Sequence, residues 1–349
     1  MPATLADFRF APWFDVAVAS RIGCGPSTRT ENQDNFVVID FDGRACRLQD
    51  QQPHCTTVDG WPDGHGRLAV LDGMGGHGQG REAAEALAAA LVAMPPCTTA
   101  QALAARLDAV HASLQARFTS TGAGSGSGSG SGASAGASTG AARPGTTLTL
   151  LELRAGAAPL LYHVGDSRLY ELDPLHATPL CIDHVPATVA ALAGRLDERE
   201  WWRQVHGRHA PQIAQAFILG NAFSEPARLS DPLFALTPDN LPGWLAHLAD
   251  RRALPLRPGA AYLLATDGFW SCSRPDGFVA RWPALMHDAR CAETLVGRLF
   301  GLLETDPPAG LQPDNLTALV VRPLARHADE TVLPVADGAP RFDQYLTNI

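Results

Sequence analysis

Four acidic residues stand at the ends of apolar segments that are typical of buried strands. Asp72 follows LAVL, Asp166 follows YHVG, Asp267 follows LLAT, and Asp314 comes just before LTALVV. Strands of one sheet would gather these carboxylates at one edge, where they could not all stay ionised without cations. Carboxylate oxygens are suitable ligands for Mg²⁺ or Mn²⁺. The pattern alone leaves a second interpretation open, in which the four acids are solvated ends of unrelated strands.

Two of these acids stand out because each lies between a buried strand and a glycine. Asp-Gly occurs seven times in the chain, and five of the pairs are most simply turns: those at Asp42, Asp59, Asp63, Asp276 and Asp337. At Asp72 and Asp267 the short apolar run in front predicts a buried strand instead. These two acids are therefore the strongest candidates for metal ligands.

The glycine-rich turn after Asp72 also matches a different kind of site. Gly73, Gly75 and Gly78 spell the G-x-G-x-x-G of dinucleotide-binding proteins. That fingerprint needs an acidic residue about 20 positions further on, at the end of a second parallel strand. Residues 94 to 99 read MPPCTT, with neither an acid nor a strand pattern. A carboxylate before the first glycine would also repel a pyrophosphate, so we do not expect a dinucleotide site.

The composition of the chain excludes several classes of function. A net charge of −9 and a pI near 5.7 make nucleic acid and anionic membranes poor partners. The chain has 27 basic residues, and all of them are arginine. Without lysine, a Walker-type phosphate loop, a Schiff-base enzyme and a protein-kinase strand lysine are excluded.

The cysteines and the N-terminal segment predict a cytoplasmic protein. The seven cysteines are scattered, odd in number and without a C-x-x-C pair, which favours reduced thiols. His54, Cys55, Cys46 and His65 match no standard zinc spacing, so we expect free loop residues there. The first residues lack the charged head and apolar run of a signal peptide, and no apolar stretch of about 18 residues follows.

The elements that must position the acids follow from the pattern of apolar residues. DVAVAS and NFVVID predict two strands around a polar loop, and residues 41 to 66 predict a long hairpin excursion. A helix follows the glycine-rich turn and ends at Pro95-Pro96. A second helix presents one apolar face, formed by Leu103, Leu107, Val110 and Leu114. Residues 119 to 142 are rich in Gly, Ser and Ala and predict a flexible loop.

The second half of the chain predicts further strands separated by helical segments. LTLLEL, PLLYHVGD and RLYELD are successive strands with short links, which favours antiparallel pairing and a tight turn at Ser167. Residues 183 to 220 predict a polar, helical lid, and Pro242 predicts the start of a helix that runs to Arg252. The strand AYLLATDGFW, helical stretches from 281 to 304 and the strand LTALVV follow.

Six motifs, in this order, resemble the PPM type of metal-dependent protein phosphatases, the protein phosphatase 2C-like family: RTENQD (29–34), LDGMGGH (71–77), GTT (145–147), VGDSRLY (164–170), ATDG (265–268) and PDNLTALVV (313–321). The DGMGG form is similar to that of bacterial members. The resemblance implies an α+β fold in which two antiparallel β-sheets pack as a central sandwich flanked by α-helices on both sides, a four-layer αββα arrangement. We therefore expect an N-terminal extension (1–14), a phosphatase domain (15–324) with a flexible insertion (119–142), and a C-terminal tail (325–349).

The resemblance also implies which residues hold metal. Asp72 bridges two Mn²⁺ or Mg²⁺ ions, Gly73 contributes its carbonyl oxygen to one of them, and Asp267 and Asp314 complete the pair of sites. Asp166 matches an acid that helps to hold a weaker third ion in bacterial members. Together the ions activate a shared water that attacks phosphorus, so no covalent enzyme intermediate is needed.

Three further residues carry catalytic roles by the same resemblance. Asp34 holds a water molecule on the metals, and Arg29 grips the phosphate of the substrate. Two positions depart from the family pattern, since Gln33 stands where many relatives have glutamate and Met74 stands where eukaryotic members have a histidine that protonates the leaving group. His77 is the candidate for that acid, and water on a metal ion is the alternative.

The activity implied by the resemblance is hydrolysis of phosphoserine and phosphothreonine in proteins that a serine/threonine kinase has modified. Neither nucleic acid nor a membrane is expected as a partner. Two other functions stay open on the same fold. One is a catalytically weak or inactive regulatory protein that binds phosphoproteins, and the other is a phosphatase of small molecules. The complete set of acids favours catalysis.

Overall fold

The computed structural model describes residues 8–23, 29–75, 79–122, 144–208, 212–226, 228–229 and 232–324. Its strands are β1 Phe14–Arg21, β2 Asn35–Ile39, β3 Arg44–Gln49, β4 Gln52–Thr57, β5 His65–Leu71, β6 Gly73–Met74, β7 Gly145–Thr146, β8 Leu148–Arg154, β9 Ala157–Val164, β10 Arg168–Leu172, β11 Ala177–Pro179, β12 Gln215–Ala216, β13 Gly220–Asn221, β14 Arg251–Ala253, β15 Ala261–Ala265 and β16 Leu316–Pro323. Its helices are α1 Gln79–Ala93, α2 Ala100–Gly122, α3 Pro186–Leu192, α4 Glu198–Val205, α5 Pro275–Val279 and α6 Ala292–Thr305. Single 3₁₀ turns cover Ala246–Leu248, Asp267–Phe269 and Trp282–Met286.

Two antiparallel sheets form the centre of the molecule. The seven-stranded sheet has the order β14-β9-β8-β5-β2-β3-β4, and the five-stranded sheet has the order β1-β16-β15-β10-β11. Two short ribbons, β6–β7 and β12–β13, lie beside them. The predicted pair of antiparallel sheets is therefore confirmed.

The central strands of both sheets are apolar on both faces because both faces are covered. Successive side chains of a strand point to opposite faces. In β2, Phe36 and Val38 pack between the two sheets, whereas Val37 and Ile39 pack with α1 and α2. The same alternation runs through β15 and β16, whose outer face packs on α6. The order of layers is thus helices, sheet, sheet, helix, as predicted.

The region between residues 183 and 253 differs from its prediction. Two short helices, α3 and α4, occur where one helical segment is predicted over 183 to 220, because Gly194 with φ 67° follows α3 and the chain after α4 turns into the β12–β13 ribbon. The predicted helix from Pro242 to Arg252 is also wrong. Only one 3₁₀ turn forms there, since β14 pairs with the edge of β9 instead. Pairing with a distant strand overrides the local preference.

The turn after β9 does not close a hairpin. β9 belongs to the seven-stranded sheet and β10 to the five-stranded sheet, so the link through Gly165, Asp166 and Ser167 crosses from one sheet to the other. The predicted antiparallel pairing of successive strands holds for β8 with β9 but not for β9 with β10. Gly165 has a φ of 111°, and a Cβ there would lie 2.6 Å from Cγ2 of Thr147. Both the backbone and the space therefore require glycine.

The prediction that all cysteines are reduced is wrong. Cys46 of β3 lies opposite Cys55 of β4 in the hairpin register, and the two form a disulfide with a Cα–Cα distance of 4.1 Å. Cys97, Cys181, Cys272 and Cys291 are free. An odd number of cysteines without a C-x-x-C pair does not reveal this bond, because only the register of the hairpin brings the two side chains together.

Helix α2 extends into the predicted flexible insertion. α2 continues past Thr119 to Gly122, and the rest of the predicted insertion, residues 123–142, lies outside the described residues, as does the predicted tail. At the N-terminal side, Phe10 packs in the core between the sheets beside Phe14. No helix of the described ranges has the length and apolar character needed to cross a bilayer.

A fully buried ion pair ties α1 to the outer face of the seven-stranded sheet. Arg67 of β5 lies opposite Glu152 of β8, and its Nε and Nη2 donate to the carboxylate at 2.7 and 2.8 Å. Nη1 donates to the carbonyl oxygens of Leu91 and Met94 at 2.5 and 2.7 Å. These carbonyls belong to the last turn of α1 and the residue after it, where the helix offers no N–H partners of its own. Arg67 therefore holds the C-terminal end of α1 in place.

We expect Arg67→Ala to lower the free energy of unfolding by about 3 to 5 kcal/mol, because it leaves the Glu152 carboxylate buried without its partner. The matched control is Arg203→Ala, which removes an exposed ion pair with Glu200 and should cost about 0.5 kcal/mol or less. Urea unfolding followed by circular dichroism measures both variants. Equal losses for the two would contradict the anchoring role of Arg67.

Candidate active site

Two of the predicted acids lie at adjacent strand ends of the seven-stranded sheet. Asp34 comes directly before β2, and Asp72 follows β5 directly. β2 and β5 are antiparallel neighbours in which Asn35 pairs with Leu71. The register therefore places Asp34 and Asp72 side by side at one end of the sheet.

The other three acids come to the same end from the five-stranded sheet. Asp267 lies just beyond the end of β15, Asp314 lies just before β16, and Asp166 lies in the link that enters β10. β15 pairs with both β10 and β16, and Arg168 at the start of β10 lies opposite Ala265 at the end of β15. The structure thus brings all five predicted acids together, with contributions from both sheets.

The electrostatics of the five carboxylates show that they interact. Burial raises the pKa of Asp34 to about 8, and repulsion by Asp314 and Asp267 adds to the rise. Burial, then repulsion by Asp34, Asp267 and Asp314, raises the pKa of Asp72 well above its usual value. Burial and repulsion by Asp314 raise the pKa of Asp267 to about 6, and burial and repulsion by Asp267 raise the pKa of Asp166. Each carboxylate therefore makes its neighbours harder to ionise.

Two threonine hydroxyls connect the segments that carry the acids. Thr147 Oγ1 accepts from the backbone N–H of Asp72 at 2.9 Å and lies 2.6 Å from Oγ of Ser167, the residue after Asp166. The Thr266 hydroxyl donates to Oδ2 of Asp34 at 2.8 Å and so links the two sheets at the site. Both threonines lie inside motifs quoted above, but the sequence does not indicate what their side chains contact.

Gly73 lies where the backbone leaves no space for a side chain. A Cβ on Gly73 would lie 2.3 Å from the carbonyl oxygen of Gly80 and 2.5 Å from that of Gln33. The turn after Asp72, the first turn of α1 and the segment before Asp34 are therefore in direct backbone contact. This contact holds the Gly73 backbone between the first turn of α1 and the residue before Asp34.

Arg29 reaches the site from the first polar loop and contacts one of the acids. Its Nη2 lies 3.0 Å from Oδ1 of Asp314, and its Nε donates to the carbonyl oxygen of Pro313 at 3.1 Å. About half of the side chain is exposed. The resemblance does not predict the ion pair with Asp314. Gln33, the departure from the family pattern, donates its side-chain amide to Glu31 at 2.7 Å.

The donor chemistry of the site fits divalent cations. Within the described ranges, no three His, Cys, Asp or Glu side chains come close enough together to hold an ion as they stand. The carboxylates nevertheless repel one another, and bound cations would relieve that repulsion through oxygen ligands alone. The residues that fit are Asp34, Asp72, Asp166, Asp267 and Asp314. His77, the candidate acid, lies outside the described residues.

A buried arginine beside Asp166 is a feature that the sequence analysis missed. Nε and Nη2 of Arg168 donate to the carboxylate of Asp183 at 3.0 and 2.7 Å, and its guanidinium lies 4.7 Å above the ring of Trp270. The positive charge of Arg168 opposes the rise in the pKa of both Asp166 and Asp267. A cavity of about 120 Å³ opens beside these residues. The only signal in the sequence is a polar pair, Asp183-His184, directly after an apolar run.

The raised pKa of Asp34 predicts how stability depends on pH in the cation-free protein. Folding raises this pKa from 3.8 to about 8, so the folded state keeps a proton that the unfolded chain loses. The stabilisation is fully present below about pH 4 and is lost as the pH rises through about 8. Asp34→Asn should therefore be increasingly stabilised relative to the wild type between these values. Urea unfolding in a chelator at several pH values measures the difference, and a constant difference would contradict the prediction.

Comparisons with known proteins bear on the fold. No family model matches the sequence, and no curated protein matches it either. Among solved structures, the S. agalactiae serine/threonine phosphatase aligns with a TM-score of 0.57 and 18% identity, over 88% of this chain and 99% of that one. The catalytic domain of the serine/threonine protein phosphatase PstP, in complex with two manganese ions, aligns with a TM-score of 0.52 and 20% identity over 90% and 99%. The PPM Ser-Thr phosphatase MsPP from Mycobacterium smegmatis gives 0.50 and 21% over 88% and 97%. The chain therefore has the fold of the bacterial PPM-type serine/threonine phosphatases, as its motifs predict.

Proposed function

We propose that this protein is a cation-dependent protein phosphatase that hydrolyses phosphoserine and phosphothreonine. The observation that carries the proposal is the convergence of five acids from both sheets at one end of a PPM-type fold. The two manganese ions of the PstP catalytic domain support the dependence on cations. The substrates are proteins that a serine/threonine kinase has phosphorylated.

Four residues would hold a pair of Mn²⁺ or Mg²⁺ ions. They are Asp72, the carbonyl of Gly73, Asp267 and Asp314, and Asp166 would help to hold a weaker third ion. When bound, such cations supply Lewis acidity, which lowers the pKa of a water molecule and neutralises charge on the phosphate. Thr147 holds the backbone of Asp72 in place through its hydroxyl. Burial and repulsion by neighbouring carboxylates raise the pKa of Asp34, Asp72, Asp166 and Asp267, and bound cations would favour the ionised forms of these groups.

Two side chains act on the reactants directly. Asp34, fixed by the hydroxyl of Thr266, accepts a hydrogen bond from the attacking water and orients it toward phosphorus. Arg29 binds the phosphate, because a guanidinium has five N–H donors and the contacts with Pro313 and Asp314 leave others available. The leaving oxygen takes its proton from His77 or from water.

A second candidate function is binding of phosphoproteins without hydrolysis. The ion pair of Arg29 with Asp314 favours it, because the arginine binds a carboxylate that is proposed to hold a cation. The lack of a cluster of three metal ligands in the described part of the chain also favours it. A panel of phosphoserine, phosphothreonine and phosphotyrosine peptides, assayed for phosphate release with Mn²⁺, Mg²⁺ or a chelator, separates the two. Release from the first two peptides that stops in chelator supports the phosphatase. Binding without release supports the second function, and preference for a small phosphate ester indicates a small-molecule phosphatase.

We expect Asp72→Asn to abolish phosphate release while the protein stays folded, because the variant would lose a carboxylate charge that holds the proposed cations. Asp314→Asn should have the same effect. The matched control is Asp59→Asn, an exposed Asp-Gly turn at the far side of the β3–β4 hairpin, which should keep full activity. Phosphopeptide hydrolysis and circular dichroism test all three variants. Activity of the Asp72 variant, or of the wild type in chelator, would refute the cation mechanism.

Arg29→Ala should lose about 10- to 100-fold in kcat/KM, since a charge-assisted hydrogen bond to phosphate contributes about 1.5 to 3 kcal/mol. A matched control is Arg228→Ala, which removes an exposed arginine that is paired with Glu225. A series of Mn²⁺ concentrations shows whether the loss arises through Asp314 instead. If saturating Mn²⁺ restores the wild-type value, Arg29 supports a metal ligand and does not bind phosphate.

A further inference from the structure

Buried histidines hold the backbone of Gly165, the residue just before Asp166, at both its N–H and its carbonyl oxygen. The N–H of Gly165 donates to Nδ1 of His184 at 3.3 Å. The carbonyl oxygen of Gly165 accepts from Nε2 of His163 at 3.1 Å and from the backbone N–H of His184 at 2.8 Å. Both imidazole rings are fully buried. The proposed function gives no role to either ring.

The hydrogen bonds of His184 determine its tautomer. Nδ1 accepts from Gly165 and also from Nε2 of Gln215 at 3.0 Å, so its lone pair is in use and the proton is on Nε2. Nε2 lies 3.5 Å from Oδ2 of Asp250, which is likewise buried. Burial lowers the pKa of His184 to about 3, so the ring stays neutral at physiological pH. His184 is thus a permanent acceptor for the Gly165 N–H.

The neighbours of His184 leave its ring little freedom. It packs edge-on against the rings of His163 and Phe223, at centroid distances of 5.1 and 5.6 Å. The side chain of Gln215 is itself fixed by the backbone of Phe234, to which it donates at 2.9 Å. Oδ2 of Asp250 accepts from the backbone N–H of Leu236 at 2.9 Å. Nδ1 of His184, which accepts from the Gly165 N–H, is therefore held in place by buried neighbours.

The orientation of Asp166 depends on the backbone of Gly165 because the link between the sheets is short. Only Gly165, Asp166 and Ser167 separate β9 from β10. Glycine is the residue with the greatest backbone freedom, so the peptide groups before and after Gly165 need outside contacts to keep their orientation. A rotation of the backbone at Gly165 would turn the carboxylate of Asp166 away from Asp267, its largest electrostatic neighbour.

We propose that His184 is a positioning residue that fixes the backbone of Gly165 at its N–H and its carbonyl oxygen and thereby aims Asp166 at a cation. This inference rests on the proposed function in one respect, namely that Asp166 holds a cation. In this proposal, a buried neutral histidine supports a cation ligand that it does not contact. The ligand is Asp166, which lies 18 residues away in the chain.

A pair of substitutions of similar size tests the acceptor itself. In His184→Asn the side-chain oxygen lies near the place of Nδ1 and can still accept from Gly165, whereas in His184→Gln the amide lies near the place of Nε2 and cannot. Calorimetric titration with Mn²⁺ measures the affinity of each ion without any substrate. The weakest ion should bind about 10- to 100-fold less tightly in the Gln variant, as is usual when a supporting residue is lost. It should bind within about threefold of wild type in the Asn variant.

Two further variants serve as a positive and a negative control for the titration. Asp166→Asn should remove the weakest ion from the titration, and His176→Asn, a half-exposed histidine in the β10–β11 link, should change nothing. In the cation-free protein, labelled with ¹⁵N-glycine, the amide of Gly165 should exchange with solvent faster in the Gln variant than in the Asn variant. This readout follows the hydrogen bond directly and does not need a bound ion.

Several results would overturn the proposal. One is a folded Gln variant that binds the weakest ion as the wild type does, and another is an Asp166→Asn variant with an unchanged titration. Equal loss of affinity in the Asn and Gln variants would show that His184 only fills space. A wild type that binds Mn²⁺ but releases no phosphate from any peptide would refute the proposed function, while the titrations would still decide the role of His184.

Discussion

Mutual repulsion among five carboxylates is the constraint on which the design of this protein depends. Burial and repulsion by neighbouring carboxylates raise the pKa of Asp34 to about 8 and that of Asp267 to about 6. The fold therefore holds these groups where their charged forms are disfavoured. Two packed sheets and the helix α1 supply the rigidity. α1 is fixed at its C-terminal end by Arg67 and at its first turn by the backbone contact of Gly73 with Gly80. The apolar burial of the sandwich therefore offsets the electrostatic cost of the site.

The cationic side chains that support the fold are all guanidinium groups, since the chain has no lysine. Arg67 and Arg168 each grip a buried carboxylate with two nitrogens and use a third to bind other oxygen acceptors. A planar fork with five donors can satisfy a carboxylate and several carbonyls at once, which an ammonium group cannot do with the same geometry. This property explains how two full charges are accommodated inside the protein without unpaired donors at these nitrogens.

The sequence predicts the parts of the fold that depend on neighbouring residues. Strands with acidic ends and the apolar face of α2 are local patterns, and both occur in the structure. The predictions that fail depend on how one segment pairs with another, which the local pattern of residues does not determine. β14 forms because β9 offers an edge, the Gly165 link crosses between sheets, and Cys46 meets Cys55 only through the hairpin register. At the site, motif positions predict the cluster of acids, but the contacts of Arg29 with Asp314 and of Thr266 with Asp34 span hundreds of positions.

The contribution of acids from both sheets has a consequence for the whole sandwich. Because Asp34 and Asp72 come from one sheet and Asp267 and Asp314 from the other, any ion held between them is a cross-link between the two layers. Such a ligand binds only when the layers are in register, so it adds to the stability of the folded state in proportion to the logarithm of its free concentration. One sheet could then slide over the other only if the ion were released. Under the proposed function, the stability of the folded protein would therefore depend on the concentration of divalent cations around it.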